Sequence, residues 1–309
     1  MSVMESPCAA ATSLPTAASR SWADRLADYR ELSKPRIAAM ALITVTVGFF
    51  MADPRGEVFV RLAHALLGIA MIAGACGALN QFLERKTDRR MPRTANRPLP
   101  SGRMAPAEAL AFGLGLAVLG TAYLAWFVNG PTAVLSVATL LLYVLAYTPL
   151  KRMSSWCTIV GAVPGAMPPV LGWAAAGGGP TVVPVALFGI LYIWQFPHLL
   201  AIAWLYRQQY AGAGLHMLPG QFPRRGVTGL MSIAWAVLLI PVSLLPWQGG
   251  MAGNGYAAAA IILGGGYLLC SIIFCWNESP RTARRLLWSS LLYLPTLLAI
   301  LTFDFIRLS

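Results

Sequence analysis

Charged side chains are scarce in this sequence, and acidic ones are the scarcest. Only 11% of the 309 residues are charged, and Asp and Glu together number 11. A soluble globular domain carries roughly 25% charged residues, so this composition excludes an ordinary soluble protein. With 57% hydrophobic residues and a mean hydropathy of +0.64, the chain is predicted to be an all-α integral membrane protein.

Other absences narrow the class further. Strand-like alternation in segments of about ten residues is missing, which argues against an outer-membrane barrel. The five cysteines form no CxxC pair and mostly lie in or beside apolar segments, so we expect neither disulfides nor a zinc site. The first 34 residues contain no apolar run of signal-peptide type.

Long apolar runs recur at the length that a bilayer requires, roughly 17–25 residues each. They predict nine membrane-spanning helices at about 36–52, 60–83, 107–127, 131–148, 157–176, 182–205, 227–246, 253–275 and 286–306. The expected organisation is a tail over 1–33 and a transmembrane domain over 34–309. We expect the tail to be partly disordered, with a short amphipathic helix from Trp22 to Leu32.

Positive charge is unevenly distributed between the two ends of these spans. With the N-terminus in the cytoplasm, 20 of the 23 Lys and Arg residues fall on the cytoplasmic side, and only Arg55, Arg61 and Arg307 face the other side. Cytoplasmic loops carry such an excess. We therefore expect a multi-pass inner-membrane protein with its N-terminus in the cytoplasm and its C-terminus on the opposite side. The net charge of +12 then reflects topology and does not indicate nucleic-acid binding.

The end of the second span combines acids with a burst of arginines in "ALNQFLERKTDRRMPRTANRPLPSGR". Asn80, Glu84 and Asp88 recur every fourth residue, which places them in one stripe on a helix. Carboxylate and amide oxygens suit Mg²⁺, which usually shares its ligands with substrate phosphates. Arg93 and Arg97 can present guanidinium groups to those phosphates. The pattern predicts a diphosphate site, the alternative being a solvated basic loop that only sets topology.

Two later stretches carry further candidates. "AYTPLKR" places Tyr147, Lys151 and Arg152 at a cytoplasmic helix end, where they are either functional or interfacial anchors. "YIWQFPHLLAIAW" places Gln195 and His198 inside an apolar span, where polar residues are functional by default. The alternative for His198 is a bond to a backbone carbonyl that Pro197 leaves free.

Together these stretches resemble the UbiA-type intramembrane prenyltransferases, and within them the branch that farnesylates haem. The resemblance covers about residues 33–300 and rests on Asn80-x₃-Glu84-x₃-Asp88, "DRRMPRTANRPLPSGR", "YTPLKR", "WQFPHLLAIAW" and "AGAGLHMLP". It implies nine helices around a central cavity. It also implies Mg²⁺-dependent transfer of a farnesyl group from farnesyl diphosphate to a vinyl group of haem B, giving haem O. The implied partners are membrane lipid and haem A synthase or terminal-oxidase assembly proteins.

The resemblance also assigns roles to individual residues. Asn80, Glu84 and Asp88 match the metal–diphosphate motif, and Arg93 and Arg97 match arginines that contact diphosphate. A second basic cluster, expected to bind the diphosphate as well, is matched by Tyr147, Lys151 and Arg152. The resemblance implies that Lys151 is catalytic together with the metal–diphosphate motif and the two arginines. His198, with Gln195, matches a stretch used for haem. His64 and His216 are weaker haem candidates, and Tyr192, Trp194 and Trp173 are candidates to hold the allylic cation by cation–π contact.

One position departs from the family pattern. Gln209 stands before Tyr210, where the family usually has an acid, and an amide is a weak ligand for a hard cation. The number of metal ions therefore stays open. Three other functions also stay open: a prenyltransferase for an aromatic acid or quinone precursor, a secondary transporter, and a haem-binding assembly factor without catalysis.

Overall fold

Apolar runs of membrane length fold into helices because a helix satisfies its backbone hydrogen bonds internally. The computed structural model describes residues 21–53, 55–56, 58–217 and 226–308. These contain helices and no β-strand: α1 (Trp22–Leu32), α2 (Pro35–Ala52), α3 (Phe59–Asp88), α4 (Pro106–Phe127), α5 (Gly130–Leu141), a π-helical segment (Leu142–Tyr147), α6 (Thr148–Leu150), α7 (Cys157–Ala166), α8 (Pro168–Ala175), α9 (Val182–Leu205), α10 (Arg207–Gly212), α11 (Val227–Gln248), α12 (Asn254–Trp276) and α13 (Pro280–Leu308).

Nine helical segments of this described part are long and apolar enough to cross a membrane, as the sequence predicted. The largest shift in a boundary is at the start of α13, which begins at Pro280 and not at residue 286. Helix α3 continues past the expected residue 83 to Asp88. The whole polar stripe is therefore helical. The basic residues Arg224 and Arg225, the tail before Ser21 and the end of the "AGAGLHMLP" stretch lie outside the described residues.

Two spans are interrupted. The fifth is divided into α7 and α8 at Met167, directly before Pro168, because proline lacks the N–H that a continuous helix needs. The fourth changes to π-helical hydrogen bonding over Leu142–Tyr147 before it ends in α6. Single π-helical turns inside α-helices are frequent at functional sites.

Glycines bring α2 and α8 into backbone contact. A Cβ built on Gly48 would overlap the carbonyl group of Pro169, and one built on Gly172 would overlap the carbonyl group of Val45. Without a hydrophobic effect between helices in lipid, close packing of small residues is what holds them together. These contacts place α2 and α8 against each other with no layer of side chains between them.

Helix α1 docks on the end of the bundle that carries the arginine-rich loop 89–105; we call this end the basic end. Arg103 bridges Asp28 and Glu31 at 2.8 and 2.7 Å, and Arg25 contacts Glu108 at 2.9 Å. The helix has the bounds that the sequence predicted, and Ser21 caps it through a reciprocal capping box. These contacts hold the turn between α1 and α2 in place.

Candidate active site

The polar stripe of α3 is buried at the basic end. Asn80, Glu84 and Asp88 are 1%, 8% and 1% exposed, although charged groups are rarely buried unless they are paired. Their spacing places them on one face over two helical turns. The fold therefore gathers two carboxylates and an amide on a single helix face. Because these groups are buried, they need side chains that pair with them.

Each member of the stripe meets a cationic side chain. Lys34 Nζ donates to Asn80 Oδ1 at 2.6 Å, Lys151 Nζ to Glu84 Oε1 at 2.8 Å, and Arg97 Nη1 to Asp88 Oδ2 at 2.7 Å. Two negative charges thus face three positive ones, and the excess of positive charge favours an anionic ligand. An ammonium has three donor hydrogens and a guanidinium five. The three cations therefore keep donors for a second partner.

Lys34 reaches the stripe from the turn between α1 and α2. It has a φ of 50° and is the only non-glycine residue with positive φ in the part of the chain that the structure describes. Strained backbone of this kind persists only where the surroundings hold it, and here Gln81 Nε2 holds the preceding turn through Leu32 O at 3.1 Å. Burial lowers the pKa of Lys34 to about 8, so the ammonium is mostly charged at neutral pH.

Lys151 is presented by the end of the fourth span. Its Nζ lies 4.3 Å from the centroid of the Tyr147 ring, at the end of the π-helical segment. Burial alone would lower the pKa of Lys151, but Tyr147 and the Glu84 carboxylate outweigh it and hold this pKa well above 10.5. Thr148 joins the span to the stripe, because its Oγ1 accepts from Asn80 Nδ2 at 3.2 Å.

Arg97 reaches Asp88 because loop 89–105 folds back over the end of α3. Thr94 Oγ1 donates to the Asp88 carbonyl at 2.9 Å, and Arg89 Nε donates to the Pro100 carbonyl at 3.2 Å. Leu99 in the same loop is buried. The loop is thus an ordered element that carries a guanidinium group to the carboxylate.

Arg93 and Arg152 lie beside the stripe without contacting its acids. Arg152 Nη2 donates to Leu83 O at 2.9 Å. The Arg93 guanidinium lies 4.6 Å from the Tyr206 ring centroid, and its Nη2 donates to the Tyr210 hydroxyl at 3.3 Å. Of the three arginines predicted to bind diphosphate, Arg97 belongs to the buried cluster, and Arg93 and Arg152 lie at its rim.

The donor set fits Mg²⁺ only if ligands from outside the protein complete it. The described residues contain no group of three or more His, Cys, Asp or Glu side chains that could hold a metal ion. Glu84 and Asp88 each engage one carboxylate oxygen, and their other oxygens accept no hydrogen bond from described residues. Mg²⁺ commonly takes one or two carboxylates plus substrate phosphates and water, so Glu84 and Asp88 suit it.

Gln209 adds one observation to this set. Its Oε1 is buried and has no hydrogen-bond partner among the described residues, and a buried oxygen without a donor is unusual. The neighbouring Tyr210 contacts Arg93. Gln209, where the sequence departs from the family pattern, therefore carries a buried oxygen that is able to accept a hydrogen bond or to coordinate a cation.

The haem candidates separate into two groups. His198 and Gln195 lie in α9, where Gln195 Nε2 donates to Ala162 O at 2.9 Å and to Leu191 O at 3.2 Å. Those bonds tie α9 to α7 and commit the amide nitrogen to the backbone. His198 Nδ1 lies 2.7 Å from Ser290 Oγ.

The other candidates lie elsewhere. His64 contacts Tyr123 at 2.7 Å near the start of α3, at the end of the bundle opposite the stripe. Trp173 is also at that end, since Nε1 donates to Gly179 O beyond α8. His216 is exposed at the basic end, and its backbone N–H donates to Lys151 O at 2.9 Å.

Sequence reasoning missed several residues of this site. Lys34 was counted only as a charge that sets topology, although a Lys-Pro pair at the start of a span was visible. Ser290 and Thr148 gave no signal, because a hydroxyl residue in an apolar span usually bonds to its own helix. Only the tertiary structure shows that they also contact His198 and Asn80.

Comparisons with known proteins agree with this architecture. Residues 41–294 match the UbiA prenyltransferase family. A protein of Solibacter usitatus (strain Ellin6076) named protoheme IX farnesyltransferase is 42% identical over 286 residues, which cover 90% of this chain and 98% of that protein. A protein of the same name from Myxococcus xanthus (strain DK1622) is 42% identical over 299 residues, covering 96% and 98%.

Solved structures share the fold. A structure of digeranylgeranylglyceryl phosphate synthase in membranes superposes with a TM-score of 0.77 at 17% identity, covering 92% of this chain and 99% of that one. A UbiA homolog from Archaeoglobus fulgidus bound to GPP and Mg²⁺ gives a TM-score of 0.57 at 16% identity, covering 89% and 99%. The predicted all-α, nine-span fold is confirmed by these likenesses and by the spans of the described residues.

Proposed function

Because this chain belongs to the UbiA prenyltransferase family, with relatives named protoheme IX farnesyltransferase along most of its length, we propose that it transfers a farnesyl group from farnesyl diphosphate to a vinyl group of haem B. The product is haem O. Membership of this family argues against the hypothesis of a secondary transporter. The names of the relatives favour haem as the acceptor over an aromatic acid or quinone precursor.

The observation that carries the proposal is the buried stripe with its three cations. A diphosphate needs donors that stay charged in a site shielded from water, and Lys34, Lys151 and Arg97 are held within 2.8 Å of the stripe. Preorganised donors lower the barrier most when they point to where negative charge develops. We assign binding of the diphosphate to these three groups, with Arg93, Arg152 and Tyr147 at the rim.

Ionisation of the donor breaks the allylic C–O bond, and the electron pair leaves with diphosphate. Mg²⁺ bound at Asn80, Glu84 and Asp88 would supply Lewis-acid stabilisation of that leaving oxygen. The structure of a UbiA homolog from Archaeoglobus fulgidus is bound to GPP and Mg²⁺. The ammonium and guanidinium groups of the chain donate to the same oxygens. They stabilise the departing charge more than the intact ester, which is what accelerates the step.

The farnesyl cation then needs a water-poor site and an electron-rich acceptor. The haem vinyl group supplies the π electrons that form the new C–C bond, and water adds to the resulting cation and loses a proton to leave a hydroxyl group. Tyr192 and Trp194 lie half-buried on α9, where their ring faces are suited to hold the allylic cation, each worth about 0.5–2 kcal/mol. Trp173 lies too near the opposite end to share that role.

The direct test is incubation of the purified protein with haem B, farnesyl diphosphate and Mg²⁺, followed by mass spectrometry of the haem. We expect haem O, and loss of product when the Mg²⁺ is chelated. A parallel panel of aromatic acids and quinone precursors with labelled farnesyl diphosphate tests the acceptor. Prenylation of a panel member with haem unchanged would refute the acceptor, and no product from any acceptor would favour a haem-binding assembly factor.

We also assign the basic end to the cytoplasm of an inner membrane, since positive charge concentrates there. Single-cysteine labelling in intact cells tests this orientation: a cysteine at Ser101 in the basic loop should stay protected from an impermeant thiol reagent, whereas one at Gly130 should react. In this orientation farnesyl diphosphate reaches the site from the cytoplasm, and haem A synthase or oxidase assembly proteins are the expected recipients of the product.

A further inference from the structure

Arg93 is held by the corner where α9 meets α10. Its guanidinium lies 4.6 Å from the centroid of the Tyr206 ring and 5.9 Å from that of Tyr210, and Nη2 donates to the Tyr210 hydroxyl at 3.3 Å. Two aromatic rings thus fix a side chain that projects from an exposed position of loop 89–105. A guanidinium held in this way has lost part of its conformational freedom before a ligand arrives, which favours binding.

Arg93 pairs with no carboxylate among the described residues, although a guanidinium has five donor hydrogens. The ion pairs of this part of the chain involve other cations, and the two acids of the stripe pair with Lys151 and Arg97. The Tyr210 hydroxyl accepts one hydrogen of Arg93. Donors of this guanidinium are therefore left for an anionic ligand.

The corner between α9 and α10 contributes no acid that would repel a carboxylate. The sequence has no Asp or Glu between Glu108 and Glu278, and Gln209, which stands where the family usually has an acid, is neutral. The stripe on α3, by contrast, has carboxylates that suit Mg²⁺ and, through the metal ion, a diphosphate. An arginine without neighbouring acids suits a different anion, since its planar fork matches a carboxylate directly.

The face of α9 beside Arg93 suits a flat apolar molecule. Leu199, Ile202 and Tyr206 are half-buried at positions i, i+3 and i+7, so they share one side of the helix. None of residues 186–206 is exposed, and this side extends about 10 Å along the axis from Tyr206. Ligand sites are mostly apolar, with a few charged groups that fix orientation. The arrangement therefore fits a ligand with a carboxylate at one edge and an apolar body.

We propose that Arg93 binds a propionate carboxylate of the haem acceptor, and not the diphosphate of the donor. The inference rests on the proposed function for the presence of haem. Haem B carries its propionates on two adjacent pyrrole rings and its vinyl groups on the other two, so a propionate held at Arg93 directs the vinyl edge into the bundle. Lys34, Lys151 and Arg97 remain for the diphosphate at the stripe. The two substrates are thus bound through separate cations.

The test compares haem B with its dimethyl ester, in which both carboxylates are blocked. Purified full-length protein in detergent is titrated with each ligand, and the ratio of the two dissociation constants, ester over haem B, defines the acid selectivity. We expect Arg93→Gln to lower the acid selectivity about 10–100-fold relative to the wild type, by weakening haem B and leaving the ester unchanged. Arg93→Lys, which keeps the charge and loses the fork, should fall between them. Arg90→Gln, at an exposed arginine of the same loop, is the matched control.

Binding of pyrophosphate with Mg²⁺, measured by calorimetry on the same proteins, reports on the other anion. We expect Arg93→Gln to bind pyrophosphate as the wild type does. The inference is overturned if the acid selectivity of Arg93→Gln equals that of Arg90→Gln, which includes equal weakening of haem B and the ester. It is also overturned if Arg93→Gln weakens pyrophosphate binding, because Arg93 would then be a diphosphate ligand. If Arg93→Gln does not purify as monodisperse protein, Arg93→Lys is judged by the same two criteria.

Failure of this inference is separable from failure of the proposed function. Wild-type protein that makes haem O while Arg93→Gln keeps its acid selectivity would refute only the propionate site. Wild-type protein that yields no haem O, but has an acid selectivity that Arg93→Gln loses, would refute the farnesyl transfer and keep the propionate site.

Discussion

Replacing Lys151 by methionine removes the ammonium from a buried ion pair while keeping the length of the side chain. The side chains of Lys151 and Glu84 are 13% and 11% exposed and lie 2.8 Å apart. With an effective dielectric constant of about 20, their attraction is about 6 kcal/mol before desolvation is subtracted. Removing one partner of a buried pair costs about 3–5 kcal/mol, because the other charge stays buried. We expect Lys151→Met to lose this much stability in Mg²⁺-free buffer.

The double variant Lys151→Met/Glu84→Gln should recover most of the loss, since no uncompensated carboxylate remains. The free energy of unfolding is measured by denaturant titration in detergent micelles, followed by tryptophan fluorescence. Lys86→Met, at an exposed lysine of the same helix as Glu84, is the matched control. The reasoning is refuted if Lys151→Met is as stable as that control, or if the double variant is no more stable than Lys151→Met.

The same variant tests the metal assignment. A cation that binds the stripe should replace the missing ammonium, so Mg²⁺ should stabilise Lys151→Met more than the wild type. Ligand linkage gives about 2.7 kcal/mol when Mg²⁺ is at 100 times its dissociation constant. Equal shifts in both proteins, or none, would show that Glu84 is not part of a cation site.

Three further predictions follow from other contacts. Asp88→Ala should abolish farnesyl transfer in a protein that still purifies as a monodisperse species, and full farnesylation by a folded variant would contradict the metal role. Gly172→Ala should destabilise the bundle by about 1–3 kcal/mol through its clash with Val45, whereas Gly115→Ala, with open space around it, should not; equal stability would refute the close packing. Lys34, ¹³C-methylated in Mg²⁺-free protein, should titrate near pH 8 by NMR, with the charged form below that pH; an ordinary value near 10.5 would refute its burial.

Hydropathy predicted the spans well because lipid imposes a single length and a single chemistry on every crossing helix. The stripe was equally readable, since Asn80, Glu84 and Asp88 repeat at the helical period and the helix continues through them. What the sequence did not define is the identity of each partner. Lys34, Lys151 and Arg97 come from three separate parts of the chain, and their convergence on one helix depends on how α1, the loop and the fourth span pack.

The roles of hydroxyl residues were also beyond sequence reasoning. Ser289 and Ser290 are neighbours with the same chemistry, and both bond to their own helix. Only the rotation of α13 against α9 makes Ser290 the partner of His198. Likewise, nothing in "LYVLAY" distinguishes a π-helical turn from an α-helical one, because its hydrogen bonds depend on the packing of the ends of the span.

That π-helical turn decides which way the ammonium of Lys151 faces. A π-helical turn takes up about one residue more than an α-helical turn, because its hydrogen bonds run from residue i to i+5. In an ordinary α-helix, successive residues are turned by about 100° around the axis. If 142–147 were rewound to regular α-helical bonding with no residue removed, everything after the segment would turn by roughly that angle, and the ammonium that now faces Glu84 would point away. Removal of one residue from 142–147 would instead let the segment become α-helical while the residues after it keep their orientation, so this is the one point of the fourth span where the active site should tolerate a shortening.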